Sequence, residues 1–184
     1  MAQIARIIYA GPSFYGLDIS KKADEIWQPP AKRGDILRDA QKNQPRQILL
    51  IDGQFHQALA VWHKELLYTM AQGIYCIGAA SMGALRAAEL WRYGMVGIGQ
   101  VFEMYRAGEE DDSLVALSYE ETTFRPLRNA PIGQARKQAD AIEALEFARF
   151  FKPTQPSLTG LDFNAINPYL CRIIDRIKAD GNEP

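Results

Sequence analysis

Hydrophobic positions gather into three short runs, Ile4 to Ala10, Ile48 to Asp52 and Ile74 to Ala79, each rich in β-favouring residues and each followed by a glycine-containing turn. Such runs read as buried strands. Between and after them, helical patterns cover Asp35 to Lys42, Ala58 to Gln72 and Met82 to Arg92. This alternation predicts βαβ units, hence an α/β fold with a small parallel β-sheet flanked by helices. Leu114 to Tyr119 is a fourth possible strand. Pro131 stands where a first-turn proline belongs and opens a helical pattern that runs to about Phe151. Lys152 to Gly160 reads as a linker, and Ile166, Leu170, Ile173, Ile174 and Ile177 recur at helical spacing beyond it. The chain thus divides into an α/β core over 1–125 and a helical C-terminal extension over 126–184.

Composition narrows the function classes. With 47% hydrophobic and 23% charged residues, the 184-residue chain has the make-up of an ordinary globular protein. No stretch approaches the roughly 18 apolar residues of a membrane span and no signal-peptide core is present, so a cytoplasmic protein without a membrane partner is expected. Lys+Arg 21 against Asp+Glu 22 leaves a net charge of -1, which gives no support to a nucleic-acid partner. Cys76 and Cys171 form neither a CxxC pair nor a disulfide framework and are expected as packed thiols. His56 and His63 stand too far apart on one helix to ligate a single metal. The acidic cluster at 109–112 lacks the spacing of a calcium loop, and no glycine pattern spells a nucleotide-binding loop. No metal or cofactor is expected.

Candidate chemistry centres on Gly78-Ala79-Ala80-Ser81-Met82-Gly83-Ala84-Leu85, where a serine directly follows a buried strand and opens a helix lined by small residues. The arrangement resembles a nucleophile elbow, in which small neighbours allow a sharp turn and the amides of Met82 and Gly83 could form an oxyanion hole. The competing reading is a plain N-cap serine, since Ala79 stands where the hydrolase pattern has glycine. A serine nucleophile needs a base, and the candidates are His56, His63 and Lys64. On a helix over Ala58 to Gln72, Lys64 falls beside Val61, Tyr68 and Ala71, and only Glu65, Thr69 and Gln72 make a polar stripe. An enclosed lysine loses basicity, which a lysine base requires. The alternatives are that Lys64 extends its amine to water or pairs with Glu65 or Asp52, and that His63 is a hydrogen-bonded core histidine. If the strands are parallel, Gly11-Pro12-Ser13, Asp52-Gly53-Gln54 and Ala80-Ser81 share the carboxyl edge, where open α/β sheets bind ligands.

These motifs, in order, resemble those of TfuA-like proteins: Gly11-Pro12, Pro29 to Asp35, Ile51-Asp52-Gly53, Val61 to Glu65, Gly78 to Glu89, Tyr93-Gly94-Met95 and Asp111-Asp112. The resemblance covers about residues 4 to 125. It implies a partner of a YcaO-type enzyme in peptide backbone thioamidation, a Ser-Lys hydrolase that releases sulfide from a thiocarboxylated, ThiS-like sulfur-carrier protein. Carried over by position, the serine is Ser81 and the lysine Lys64, with Gly11, Asp52, Gly53, His63 and Arg86 as supporting or substrate-binding residues. Lys32 and Arg33 on one side and Asp111 and Asp112 on the other are candidate docking charges for YcaO, the carrier or the peptide substrate. The alternative function is a non-catalytic module that docks these same partners, with Ser81 a helix cap and Lys64 a structural cation.

Overall fold

A computed structural model describes residues 4–54, 59–116, 118–127 and 132–151. Five parallel strands form one sheet: β1 (Arg6–Tyr9), β2 (Glu25–Gln28), β3 (Gln47–Leu50), β4 (Tyr75–Ala79) and β5 (Val96–Ile98), in the order β2-β1-β3-β4-β5. The helices are α1 (Asp35–Asn43), α2 (His63–Ala71), α3 (Met82–Leu90), α4 (Gln100–Arg106) and α5 (Gln134–Phe150). The fold is therefore the α/β class that the hydrophobic pattern predicts. Among the described residues no helix is long and apolar enough to cross a membrane.

Alternation along the central strands builds two cores. Ile7, Tyr9, Ile48, Leu50 and Cys76 face α1 to α4, whereas Ile8, Ala10, Leu49, Ile51, Ile77 and Ala79 face the other way. Ala141, Ala144, Leu145 and Ala148 of α5 close that second face, their small side chains allowing close approach to the sheet. Each fully buried leucine or isoleucine contributes roughly 1.5–3 kcal/mol, so the two cores carry most of the driving force. A helix inside the segment read as an extension thus supplies one whole layer. The linker at 152–160, the terminal helix at 166–177, Pro131, His56 and Cys171 lie outside the described residues. Cys76 is buried, and burial pushes its thiol up, away from a reactive thiolate.

Several local expectations differ from the structure. β2 and β5 were not visible in the hydrophobic pattern. Leu114 to Tyr119 is not a strand: Asp112–Leu114 forms a 3₁₀ turn, and Tyr119 makes only an isolated bridge to Pro126. In α2, which starts at His63, the expected polar stripe is turned inward: Glu65 is 1% exposed and Thr69 is buried, whereas Lys64 is half-buried. The reason is local hydrogen bonding. The Glu65 carboxylate accepts the Trp62 amide at 2.8 Å, capping its own helix, and the Gly34 amide at 3.0 Å, tying α2 to the start of α1.

Burial pushes the Glu65 carboxyl up to about 7 against the opposing pull of the Trp62, Gly34 and Leu37 amides. A carboxyl whose native value lies above its unfolded value keeps its proton longer in the folded state. Its contribution is therefore full at low pH and is lost as pH rises through the window from about 4.5 to 7, amounting to about 3 kcal/mol. Wild type should lose stability over this window relative to Glu65→Gln, whose amide does not titrate. Urea unfolding of both proteins at pH 5 and pH 7.5 checks this, and a constant difference between them would contradict it.

Candidate active site

The strand order reverses its direction of growth at β1, so β1 and β3 neighbour each other at the topological switch point of the sheet. Gly11 to Ser13 follow β1, Asp52 and Gly53 follow β3, and Ser81 follows β4, so the turns predicted to share the carboxyl edge do share it. Asp52 organises the first two. Its carboxylate, 3% exposed, accepts the Gly11 amide at 2.8 Å, the Ser13 amide at 2.9 Å and the Ser13 hydroxyl at 2.7 Å. Burial raises its pKa, and the Ser13 and Gly11 donors act in the opposite direction, as does the charge of Lys137.

Ser81 stands on a strained turn. Ala80 has φ +65°, and the Ser81 amide donates to the Ala79 carbonyl at 2.8 Å, closing a γ-turn around Ala80. A γ-turn with positive central φ is rare and costly for a residue with a Cβ, on the order of 1–3 kcal/mol, and such strain concentrates at functional sites. The turn carries the chain from β4 straight into α3, with Ser81 as its N-cap residue. The Ser81 side chain does not cap its helix. Its hydroxyl donates instead to the Val115 carbonyl at 3.1 Å. The plain N-cap reading is thereby corrected: the hydroxyl is held by a segment 34 residues away.

Not every predicted donor is available. The Gly83 amide is bonded to the Ile51 carbonyl at 3.1 Å, because α3 packs directly onto the end of β3, so it cannot serve an oxyanion. The Met82 amide has no acceptor among the described residues. A further main-chain donor is the Gly53 amide, also without an acceptor among the described residues, on a backbone so close to Met82 that an added Cβ would lie 2.6 Å from Met82 Cγ. Both amides adjoin the positive end of the α3 dipole, which favours an anion.

A lysine that the sequence pattern did not single out shares a hydrogen-bond acceptor with Ser81 at this edge. Lys64 is half-buried on α2 and makes no hydrogen bond or ion pair among the described residues. Its neighbour His63 pairs through Nε2 with Glu89 at 2.8 Å on the half-exposed face between α2 and α3, and is no core histidine. Arg86 belongs to the same group, its guanidinium donating to the Val61 carbonyl at 2.9 Å and to Glu89 at 2.6 Å. His63 and Arg86 therefore fasten α2 to α3. By contrast Lys137 of α5 is fully buried, and its Nζ donates to the Val115 carbonyl at 2.9 Å, the same oxygen that Ser81 uses. Burial lowers Lys137 to about 8, with the negative charge of Asp52 limiting the shift. A signal for it exists in the sequence: Lys137 precedes Ala141, Ala144, Leu145 and Ala148 by 4, 7, 8 and 11 positions, on the apolar stripe of its helix.

Val115 and Phe124 approach this edge, Val115 through its bond from Ser81 and Phe124 beside Gly11. Val115 is buried over Ser81, and Tyr119 packs on Phe124 with ring centroids 6.1 Å apart. Burial and the nearby Asp52 charge raise the Tyr119 phenol to about 12, so it stays protonated. The candidate docking charges differ in their local contacts. The Asp111 carboxylate accepts the Ser113 amide at 3.0 Å and caps the turn leading to Val115, while Asp112 is exposed. Arg33 stacks its guanidinium over Trp62 at 3.8 Å, and Lys32 is exposed. A family model described as TfuA-like protein matches residues 52–149, just over half of the chain and a span that holds Asp52, Ser81, Val115 and Lys137. No curated protein matches the chain significantly.

Proposed function

The chain belongs to the TfuA-like family, which gives it an accessory role beside a YcaO-type enzyme in peptide thioamidation, and we propose that it fills this role as a hydrolase supplying sulfide. Its substrate is the thiocarboxylate at the end of a ThiS-like carrier protein. The observation that supports this most is Ser81 itself, delivered by a strained γ-turn to the N-terminus of α3 with its hydroxyl turned away from the helix it opens.

The thiocarboxylate is an anion and resists attack, so the site must first offset its charge. The amides of Met82 and Gly53 and the α3 dipole do so from one side and bind the oxygen as it becomes an oxyanion. Ser81 Oγ then forms a bond to the carbonyl carbon, the C–S bond breaks, and the serine proton passes through a base to the leaving sulfur. Sulfide departs and an ester remains on Ser81. Water cleaves the ester, returning a carrier carboxylate and the serine hydroxyl. Released sulfide is then available to the YcaO partner, which activates the peptide amide.

The test omits YcaO and ATP. Protein and thiocarboxylated carrier alone should yield free sulfide and carrier carboxylate in equal amounts, with many turnovers per site. Stable complex formation without sulfide release would support a docking module instead.

A further inference from the structure

We propose that a cavity at the amino edge of the sheet, the edge opposite Ser81, is a binding site for a phosphate dianion carried by a small organic monoester. The site is separate from Ser81 and stands whatever that residue does. All five strands are parallel, so the residues that lead into them gather at one edge. Arg6 opens β1, Lys22 and Asp24 precede β2, Arg46 precedes β3, and Arg149 and Phe151 come from the end of α5. Together they line a cavity of about 370 Å³. That volume falls within the roughly 300–1,000 Å³ of small-molecule sites and is too small for a folded partner.

Two arginines are built into its wall. The Arg6 side chain is 8% exposed and that of Arg149 is 16% exposed. Glu25, whose side chain is fully buried, joins them: Arg6 donates to it at 3.1 Å and Arg149 donates through Nε and Nη2, each at 2.8 Å. Burial acts to raise the Glu25 pKa, but the bonds from Arg149, the Lys22 amide and the Trp27 indole outweigh it and hold the carboxyl down at about 2. Glu25 therefore stays charged and fixes both guanidinium groups before a ligand arrives. Four cationic side chains, Arg6, Lys22, Arg46 and Arg149, stand against the carboxylates of Asp24 and Glu25. The surplus of two positive charges matches a phosphate monoester and exceeds what one carboxylate needs. Lys22 and Arg46 are exposed, and neither side chain makes a hydrogen bond or ion pair among the described residues. Arg149 commits Nε and Nη2 and keeps Nη1 without an acceptor there, a fork suited to phosphate oxygens. The carbonyls ending α5 would oppose an anion, but that of Ala148 accepts Arg6 at 3.2 Å and that of Phe151 accepts Gln47 at 2.7 Å. The Phe151 ring, stacked on Phe147 with centroids 5.1 Å apart, gives the cavity an apolar wall for the organic substituent.

The experiment titrates the full chain with phenyl phosphate, inorganic phosphate and benzoate by calorimetry, in a buffer free of other multivalent anions. Phenyl phosphate should bind most tightly and raise the melting temperature progressively with its concentration. Inorganic phosphate leaves the Phe151 wall uncovered and should bind about threefold or more less tightly. Benzoate, with a single charge, should bind about tenfold or more less tightly than the ester. The double variant Lys22→Gln with Arg46→Gln removes two charges that make no contact in the fold. It should keep the wild-type circular dichroism spectrum and lose about tenfold or more in affinity for phenyl phosphate. Absence of saturable binding by either phosphate, benzoate binding as tightly as the ester, or unchanged affinity in the folded double variant would overturn the proposal. Inorganic phosphate binding as tightly as phenyl phosphate would support the phosphate site and overturn its organic substituent.

Discussion

Gly83→Ala is expected to remove a large part of the stability of the fold. The second residue after Ser81 is the point at which α3 lies against β3. A Cβ built there would come within 1.8 Å of the Leu50 carbonyl oxygen and 2.6 Å of its carbon. These are backbone atoms of a central strand, so no side-chain rotation relieves the overlap. Moving α3 outward would also break the Gly83 amide bond to the Ile51 carbonyl and open the contact with β4, where Gly78 already lies so close that its own Cβ would stand 2.1 Å from the Gly83 carbonyl. A cost of about 4 kcal/mol or more follows, a large part of the roughly 5–15 kcal/mol that holds a domain folded. Gly133→Ala is the control. Nothing lies within 4 Å of its added Cβ, and the change should stay within about 1 kcal/mol. Denaturant unfolding of the two variants decides it, and a Gly83→Ala protein as stable as wild type would refute the close-packed elbow.

Ser81→Ala is expected to have the largest effect on activity with a small effect on stability. Removing the hydroxyl deletes the proposed nucleophile, and sulfide release should fall by at least about 10³-fold, the remainder coming from the amides and the helix dipole, which the substitution leaves in place. Stability should change by only about 1 kcal/mol, because one hydrogen bond to the Val115 carbonyl is lost while Lys137 still donates to that oxygen. Binding of the carrier should persist. Turnover within tenfold of wild type would remove Ser81 from the chemistry.

The central strands and most helices were legible because continuous apolar runs and helical spacing report burial directly. The edges were not. β2, Glu25-Ile26-Trp27-Gln28, has only two apolar residues set between two polar ones and is only half-buried, and β5 is three residues long with a glycine at its centre, too short to show a period. In the site, Ser81 was legible from its small neighbours, but the γ-turn at Ala80 was not, because alanine gives no sign of positive φ. The α2 wheel misled because it treats a polar residue as an exposed one. Glu65 is buried by the amides it caps, a tertiary fact that leaves Lys64 half-buried instead of enclosed. Lys137 carried the mark of an enclosed lysine, a charge on an apolar stripe, on a helix that the motif resemblance did not reach. Its meeting with Ser81 depends on the Val115 carbonyl, and no spacing in the sequence links residues 81, 115 and 137.

Intact-protein mass spectrometry after rapid acid quench tests the central claim most directly. Excess protein mixed with thiocarboxylated carrier should show, at early times, a species whose mass is the sum of the two less hydrogen sulfide. Peptide mapping should place the ester on Ser81, and the species should decay to free protein and carrier carboxylate. Complete conversion of the carrier with no ester on Ser81 at any quench time would contradict the account.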